Sequence, residues 1–402
     1  MPLDLLSPEF RRDPYPALAS AREAEPVHQD ALGIWYVLRH ADCVSLMKDP
    51  RLGRDIRKWA GYGFVRPYIA ESPLERCVES WMFSLDPPEH TRLRRLVARA
   101  FTPKAVEAMR GFIERTADEL IDAMGDAREI DLMRDFAQPF PVRVIARILG
   151  LSIDDYAELR RWSDAVAVVV EPTARKKQRL AANDALVELT AYLKAQVARR
   201  RDALGDDVLS TLIRAEEDGD RLSTDELISQ LVLLFIAGHE TTANLIGNGM
   251  LALLRHPAEL ARLRADASLV PTAVDEMLRF DGPVNTNARA VHVDVEVAGK
   301  VIPKGSLLMC MLGSANRDPS VFASPDRFDV GRSPNPHIGF GGGVHFCLGA
   351  PLARLEAQVA FERLLARFPQ IETDEARIEW RDLVNLRGLK TFPVRLSPRA
   401  DR

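Results

Sequence analysis

The sequence has no C-x-x-C pair: its four cysteines stand far apart, at positions 43, 77, 310 and 347. Neither a zinc ribbon nor a disulfide framework is built from such spacing. No run of about 18 apolar residues is present, so no membrane anchor is expected. The first residues carry Asp4, Glu9, Arg11 and Arg12 and have no secretion-signal core; the expectation is a soluble, cytoplasmic protein. The excess of one sign of charge is also small, the net value being −4, which gives no basis for nucleic-acid binding. Gly/Ser linkers, low-complexity tracts and internal repeats are missing too. Residues 1–402 are therefore read as a single domain.

What is present is mostly helical periodicity. Pro16–Ala24, Ala41–Lys48, Pro103–Met124, Leu132–Leu149, Asp154–Val170 and Ala174–Arg200 repeat apolar residues every three or four positions. Pro87-Pro88-Glu89-His90 opens a basic helix carrying Arg92, Arg94, Arg95 and Arg99. Ser223 to Glu226 forms an N-cap signal. The helix after it, running to Arg255, is apolar nearly all round through Leu227–Ile236 and is expected to cross the interior. Strands are few: Gly33–Leu38, the alternating run Val291–Val297, and short pieces near Ile302, Leu307–Met309, Ile371, Ile378–Trp380 and Phe392–Val394. The fold class is mainly α with small β-sheets. Arg54–Pro88 lacks periodicity and scatters aromatic residues among prolines and glycines; it is either a functional loop or a cover for the core.

Two stretches stand out chemically. Phe340-Gly341-Gly342-Gly343-Val344-His345-Phe346-Cys347-Leu348-Gly349 places a cysteine on a glycine-rich loop just ahead of an amphipathic helix, Ala350–Phe368. Backbone N–H groups and the helix dipole favour a thiolate there, and its apolar surround suits a soft metal. A buried, inert cysteine is the bland alternative. The second stretch, Ala237-Gly238-His239-Glu240-Thr241-Thr242, sets a charge and hydroxyls inside the apolar helix, which is costly unless they find partners. Thr241 competes for backbone carbonyls and is expected to open the helical ladder. The zinc-protease pattern H-E-x-x-H fails because position 243 is Ala. A polar kink facing other helices is the alternative reading. Glu276 and Arg279 share one helix face, as many solvated surface pairs do.

The cysteine loop resembles the haem-binding loop of the cytochrome P450 family: Phe, two residues, Gly, three residues, Cys, one residue, Gly. Phe340, Gly343, Cys347 and Gly349 fill this pattern. The other motifs follow in the family's order along essentially the whole chain. The resemblance implies the cytochrome P450 fold, with haem b between the long buried helix and the cysteine-loop helix and Cys347 as the iron ligand. It implies Glu240 and Thr241 as an oxygen-activating acid–alcohol pair, with Ala237 and Gly238 leaving room for dioxygen. His90, Arg94, Arg289 and His345 match positions that hold the haem propionates. Glu276 and Arg279 match a structural ion network completed by Arg327 of Pro325-Asp326-Arg327-Phe328, with Arg332 as a possible substitute.

The activity so implied is that of a soluble, bacterial-type haem-thiolate monooxygenase, using dioxygen and taking electrons from NAD(P)H through a reductase and a ferredoxin. The basic helix is expected to dock an acidic ferredoxin through Arg92, Arg95 and Arg99. The protein is expected to be a monomer. A peroxide-dependent peroxygenase and a non-catalytic haem sensor are alternatives; Glu240 and Thr241 argue against the first and are unnecessary for the second. The resemblance places the substrate among Arg54–Leu85, Val168–Arg175, Leu233, Leu234, Ile236, Ala237, Val284, Asn285, Thr286, Asn385 and Leu386. Most are apolar, so the expected substrate is a medium-sized hydrocarbon-rich natural product of the terpenoid, steroid or macrolide kind. A fatty acid is the competing class; its carboxylate would want Arg57 or Arg66.

Overall fold

The apolar run predicted to cross the interior does so as a single helix, Thr224–Arg255, about 48 Å long at 1.5 Å per residue. Its start is fixed locally. Ser223 accepts the Glu226 N–H while the Glu226 carboxylate accepts the Ser223 N–H at 2.7 Å, a reciprocal cap that satisfies two otherwise orphaned donors. The computed structural model describes residues 3–65, 72–125, 128–167, 171, 174–205, 207–217 and 222–397.

Around this helix stand α1 (Glu89–Ala98), α2 (Arg110–Ala123), α3 (Pro139–Ile148), α4 (Tyr156–Val166), α5 (Lys176–Arg201), the long helix itself as α6, α7 (Val270–Phe280) and α8 (Ala350–Arg367). The large core cluster joins residues from all of them, including Leu96, Ile113, Phe140, Leu159, Leu189, Phe235, Met277 and Phe361. Each large side chain so buried contributes about 1.5–3 kcal/mol.

The strands are β1 (Val27–Gln29), β2 (Trp35–Val37), β3 (Leu52–Gly53), β4 (Glu129–Asp131), β5 (Thr286–Val291), β6 (Val295–Val297), β7 (Lys300–Ile302), β8 (Leu307–Met311), β9 (Gln370–Thr373), β10 (Glu379–Trp380), β11 (Leu389–Thr391) and β12 (Pro393–Ser397). The largest sheet runs β1-β2-β8-β5-β3; β4-β12-β9 forms a second, and β6-β7 and β10-β11 are two-stranded. A second core cluster, with Val37, Met47, Val291 and Leu308, lies under the large sheet.

Three boundaries differ from expectation. The predicted helix 103–124 is two, Pro103–Glu107 and Arg110–Ala123. Leu132–Leu149 opens with a wide helical turn, Met133–Ala137, before α3; the prolines at 139 and 141 supply no N–H to an earlier turn. The alternating run 291–297 is not one strand. Val291 ends β5, and β6 starts at Val295 in another sheet. Alternation reports which side is buried, not which partner a strand takes.

Candidate haem-thiolate site

From Leu227 to Leu253 every residue of α6 is buried except Ala237, Gly238 and Thr241. On a helix, 237 and 241 are stacked one turn apart, so a narrow strip in the middle of the core is open. Gly238 opens on a different side. A β-carbon there would sit 3.0 Å from Cδ1 of Ile145 on α3. Its small size lets two helices touch. Leu233 and Leu234 lie near the open strip and are 7% and 8% exposed. Ile236, predicted to line the same space, is turned about 100° from Ala237 and is buried.

The ladder is not opened at Thr241. The helix is continuous, and the Thr241 hydroxyl donates to the Ala237 carbonyl at 3.1 Å. Glu240, one residue earlier, is directed into protein. Its carboxylate pairs with Arg381 and lies 3.5 Å from the Asn244 side-chain nitrogen. That pairing makes a nearly inaccessible charge tolerable.

The cysteine loop is shaped by its glycines and fastened at several points. Gly343 has φ +67°, and a β-carbon on it would lie 2.2 Å from the Met47 carbonyl oxygen. Only glycine accepts both conditions. The Cys347 N–H donates to the Phe340 carbonyl at 3.0 Å. Phe340 is packed edge-on to Phe346 and lies beneath the Arg354 guanidinium. Arg354 and His337 both reach Asp275 on α7, at 2.8 and 3.3 Å. Arg94 of α1 donates to the Phe346 carbonyl at 2.6 Å.

Cys347 is accessible to solvent, yet protein surrounds it so closely that burial is the largest influence on its thiol. Burial pushes the pKa up, against the N–H groups of Gly349 and Ala350 and the charges of Arg94 and Arg354. The expected thiolate is therefore not favoured by the protein alone. Local dipoles lose to desolvation, and a bound cation would reverse the balance.

Beside this loop the fold gathers positive groups. Arg54, His90, Arg94 and Arg289 all depress the His345 pKa after burial has done so, to about 2. Burial, then Arg94, brings His90 to about 4. The two imidazole rings lie 4.1 Å apart. The nearby carboxylate, Asp86, is already engaged by Lys58 at 3.0 Å and by the Arg54 N–H at 2.6 Å. His90 Nδ1 and Arg289 Nη2 are buried without a hydrogen-bond partner. Buried cations and donors in excess of anions fit a group bearing carboxylates, and an apolar-flanked cysteine fits a soft iron centre. The residues present thus fit a haem.

The four residues predicted for the propionates come together, and Arg54 joins them. Antiparallel pairing of Gly53 with Ala290 sets Arg54 beside Arg289. Both guanidiniums share the Asn287 side-chain oxygen and the Ala288 carbonyl. Arg289 lies within β5, one residue before Ala290, rather than at the head of the run beginning at Val291.

The Glu276–Arg279 pair is fully buried at 2.7 Å. Arg332, not Arg327, completes it: Arg332 Nε is 3.0 and 3.1 Å from the two Glu276 oxygens. Arg327 is exposed and contributes its backbone carbonyl to both Arg279 and Arg332. The polar residues assigned to substrate are tied together. Thr286 donates to Asn385 at 2.6 Å, and the Asn285 side chain to the Val384 carbonyl at 3.4 Å. Val284 bridges to Leu386. Glu171, missed in the sequence, accepts the N–H groups of Val384, Asn385 and Leu386. Arg57 is ion-paired to Asp55 at 2.7 Å. Arg66 and Val168 lie outside the described residues. Arg92 is tied to Glu226, while Arg95 on α1 and Arg99 just past its end are exposed.

Among the described residues no helix is long and apolar enough to cross a membrane. The Cytochrome P450 family model matches residues 74–382. The polyketide biosynthesis cytochrome P450 PksS of Bacillus subtilis is 40% identical, covering 97% of both chains; its solved structure superposes with a TM-score of 0.90 over 98% of this chain and 100% of that one. The vitamin D(3) 25-hydroxylase of Pseudonocardia autotrophica is 40% identical over 99% of this chain and 97% of its own length. A myxobacterial cytochrome P450, CYP267B1, solved in complex with myristic acid, is 44% identical with a TM-score of 0.91, covering 98% and 99% of the two chains. With the cysteine loop, the long helix and the cation cluster in place, likeness of this extent means that the chain belongs to the cytochrome P450 family and is a haem-thiolate monooxygenase.

Proposed function

We propose that Cys347 is the iron ligand, that Arg54, His90, Arg94, Arg289 and His345 hold the haem propionates, and that the enzyme oxygenates a medium-sized, hydrocarbon-rich molecule at the space bordered by Ala237, Thr241 and the cysteine loop. When bound, the haem supplies dioxygen activation, with the thiolate promoting O–O cleavage. The chain supplies the rest. Thr241 presents its hydroxyl, and Glu240 behind it is the proton donor. Leu233, Leu234, Val284 and Leu386 offer apolar surface that favours hydrocarbon at up to about 25 cal/mol per Å². Electrons come from NAD(P)H through a reductase and a ferredoxin, with the basic stretch bearing Arg92, Arg95 and Arg99 as the docking face.

The observation that carries this reading is the accessible strip on an otherwise buried α6, combined with an accessible cysteine beside a buried arginine and a buried histidine that each keep one nitrogen without a partner. Few polar groups remain for substrate, because Asn285, Thr286 and Asn385 are engaged within the protein. A substrate with one or two oxygens suits that supply. Relatives whose names carry a polyketide and vitamin D(3) support the same class. A fatty acid is the second reading, favoured by the relative solved with myristic acid; its carboxylate would compete with Asp55 for Arg57.

The test is spectral. Reduced protein with carbon monoxide should give the long-wavelength Soret band of thiolate ligation, and Cys347→Ala should lose it; persistence of the band removes Cys347 as ligand. Titration with terpenoids, steroids, macrolides and fatty acids should then give the low-spin to high-spin shift with the first three. A shift with fatty acids alone, lost in Arg57→Ala, overturns the substrate class.

A further inference from the structure

We propose that His239 relays protons from the surface carboxylate of Asp164 to the buried carboxylate of Glu240. The proposal rests on the reading of Glu240 as the proton donor.

Four groups make the case. Asp164 lies on α4 with 44% of its side chain exposed, whereas His239 and Glu240 on α6 are 2% and 4% exposed. His239 Nε2 stands between the two acids, 3.9 Å from Asp164 Oδ1 and 3.7 Å from Glu240 Oε2. That nitrogen is buried and has no hydrogen-bond partner. The other ring nitrogen is anchored: Nδ1 lies 3.0 Å from Ser163 Oγ and 3.4 Å from the Phe235 carbonyl.

The two carboxylates are arranged alike. Asp164 turns Oδ2 to Arg160 at 3.7 Å and Oδ1 to the imidazole. Glu240 turns Oε1 to Arg381 and Oε2 to the imidazole. Each acid thus has one oxygen held by an arginine and one aimed at the same nitrogen. Glu240 in turn is one of the influences that raise the Glu171 pKa, after burial. Burial pushes the Asp164 pKa up, but His239, Arg160 and Arg381 together bring it below the usual carboxylate range. A divalent cation suits the trio poorly, since the two guanidiniums already offset both negative charges.

The step conserves protons and moves no electrons. Asp164 takes a proton from water and passes it to the bare Nε2. The imidazolium gives its Nε2–H to Glu240 Oε2. The ring is again neutral, Asp164 is again anionic, and Glu240 holds one proton to deliver toward Thr241. A proton on Nδ1 serves the Phe235 carbonyl, which can only accept, and keeps Nε2 the acceptor. Both gaps exceed hydrogen-bond length, and rotation of the ring about its anchored nitrogen shortens one and then the other.

The experiment uses the haem-loaded enzyme with a surrogate ferredoxin system and the variants Asp164→Asn, Asp164→Glu, His239→Gln and Glu240→Gln. Asp164→Asn and His239→Gln should lower product formed per NAD(P)H consumed by about tenfold or more and raise the solvent isotope effect. The substrate-induced spin shift should stay unchanged, and Asp164→Glu should restore coupling. Independently of turnover, histidine-selective NMR of the resting enzyme should show the His239 ring signals move in Asp164→Asn. If Glu240→Gln is impaired while Asp164→Asn keeps full coupling, or if the His239 ring signals are unmoved in Asp164→Asn, the relay is wrong and the role of Glu240 stands. If Glu240→Gln itself keeps full coupling, the role of Glu240 falls and the relay with it. Should His239→Gln fail to fold, the exposed Asp164→Asn decides alone.

Discussion

Arg332 Nε lies 3.0 Å from Glu276 Oε2, a carboxylate with no exposed side-chain surface that Arg279 already holds at 2.7 Å. Two guanidiniums therefore share one buried anion, and the loop bearing Arg332 is drawn onto α7 just before the cysteine loop begins. Removing Arg332 leaves that anion under-compensated. Arg332→Ala should cost about 3 kcal/mol, seen in chemical denaturation and in a lower fraction of haem retained. Arg327→Ala keeps the carbonyl that matters and should change stability by less than about 0.5 kcal/mol. Equal losses in the two variants would contradict the assignment.

Gly343→Ala should prevent the cysteine loop from closing. The new β-carbon would meet a backbone oxygen, which cannot rotate away, at a left-handed φ. A penalty above about 2 kcal/mol is expected, with haem loading falling in parallel. Gly299 has φ +77° with nothing within 4 Å, so Gly299→Ala should cost only about 1 kcal/mol. Differential scanning of the two variants checks the contrast.

Glu356 on α8 is completely buried with both carboxylate oxygens unpartnered, and burial raises its pKa well above the usual carboxylate range. The fold therefore favours its neutral form. Once pH exceeds the ordinary value near 4.5, the unfolded chain ionises here and the folded one does not. Stability is then lost with rising pH, by up to about 1.4 kcal/mol per unit, until the raised folded pKa is reached. Glu356→Gln removes this dependence. Its stability relative to the parent should climb between pH 5 and 8 in urea titrations; a constant difference would mean that Glu356 is ionised in the fold.

Thr241→Ala should uncouple turnover, with NAD(P)H consumption continuing while peroxide replaces product. Glu240→Gln should slow the proton-dependent step by about 10²–10⁴-fold and raise the solvent isotope effect. Unaltered coupling in the first and an unaltered rate in the second would take both residues out of the reaction.

Much of this site is local in sequence and was legible there. The Ser223–Glu226 cap, the apolar run of α6, the three-residue spacing of Glu276 and Arg279, and the glycines around Cys347 each report on neighbours within a turn or a loop. What was not legible depends on contacts between distant segments. Arg54 joins the cation cluster only through the pairing of β3 with β5. Glu171 caps a turn more than 200 residues away. A side chain at Gly238 would meet Ile145 of a different helix, a contact its place in the motif does not show. The Cys347 thiol inverts the local expectation, since helix-end dipoles are a first-turn effect and desolvation belongs to the whole fold.

Arg94 donates to the Phe346 carbonyl, and that carbonyl belongs to the peptide whose nitrogen is that of Cys347. The outer surface of α1 and the cysteine are consequently joined by one guanidinium and one peptide plane. A protein that settles on α1 and displaces this arginine would strip a charged donor from the amide next to the sulfur, so the electron density on the sulfur and the occupancy of that surface are variables of the same bond.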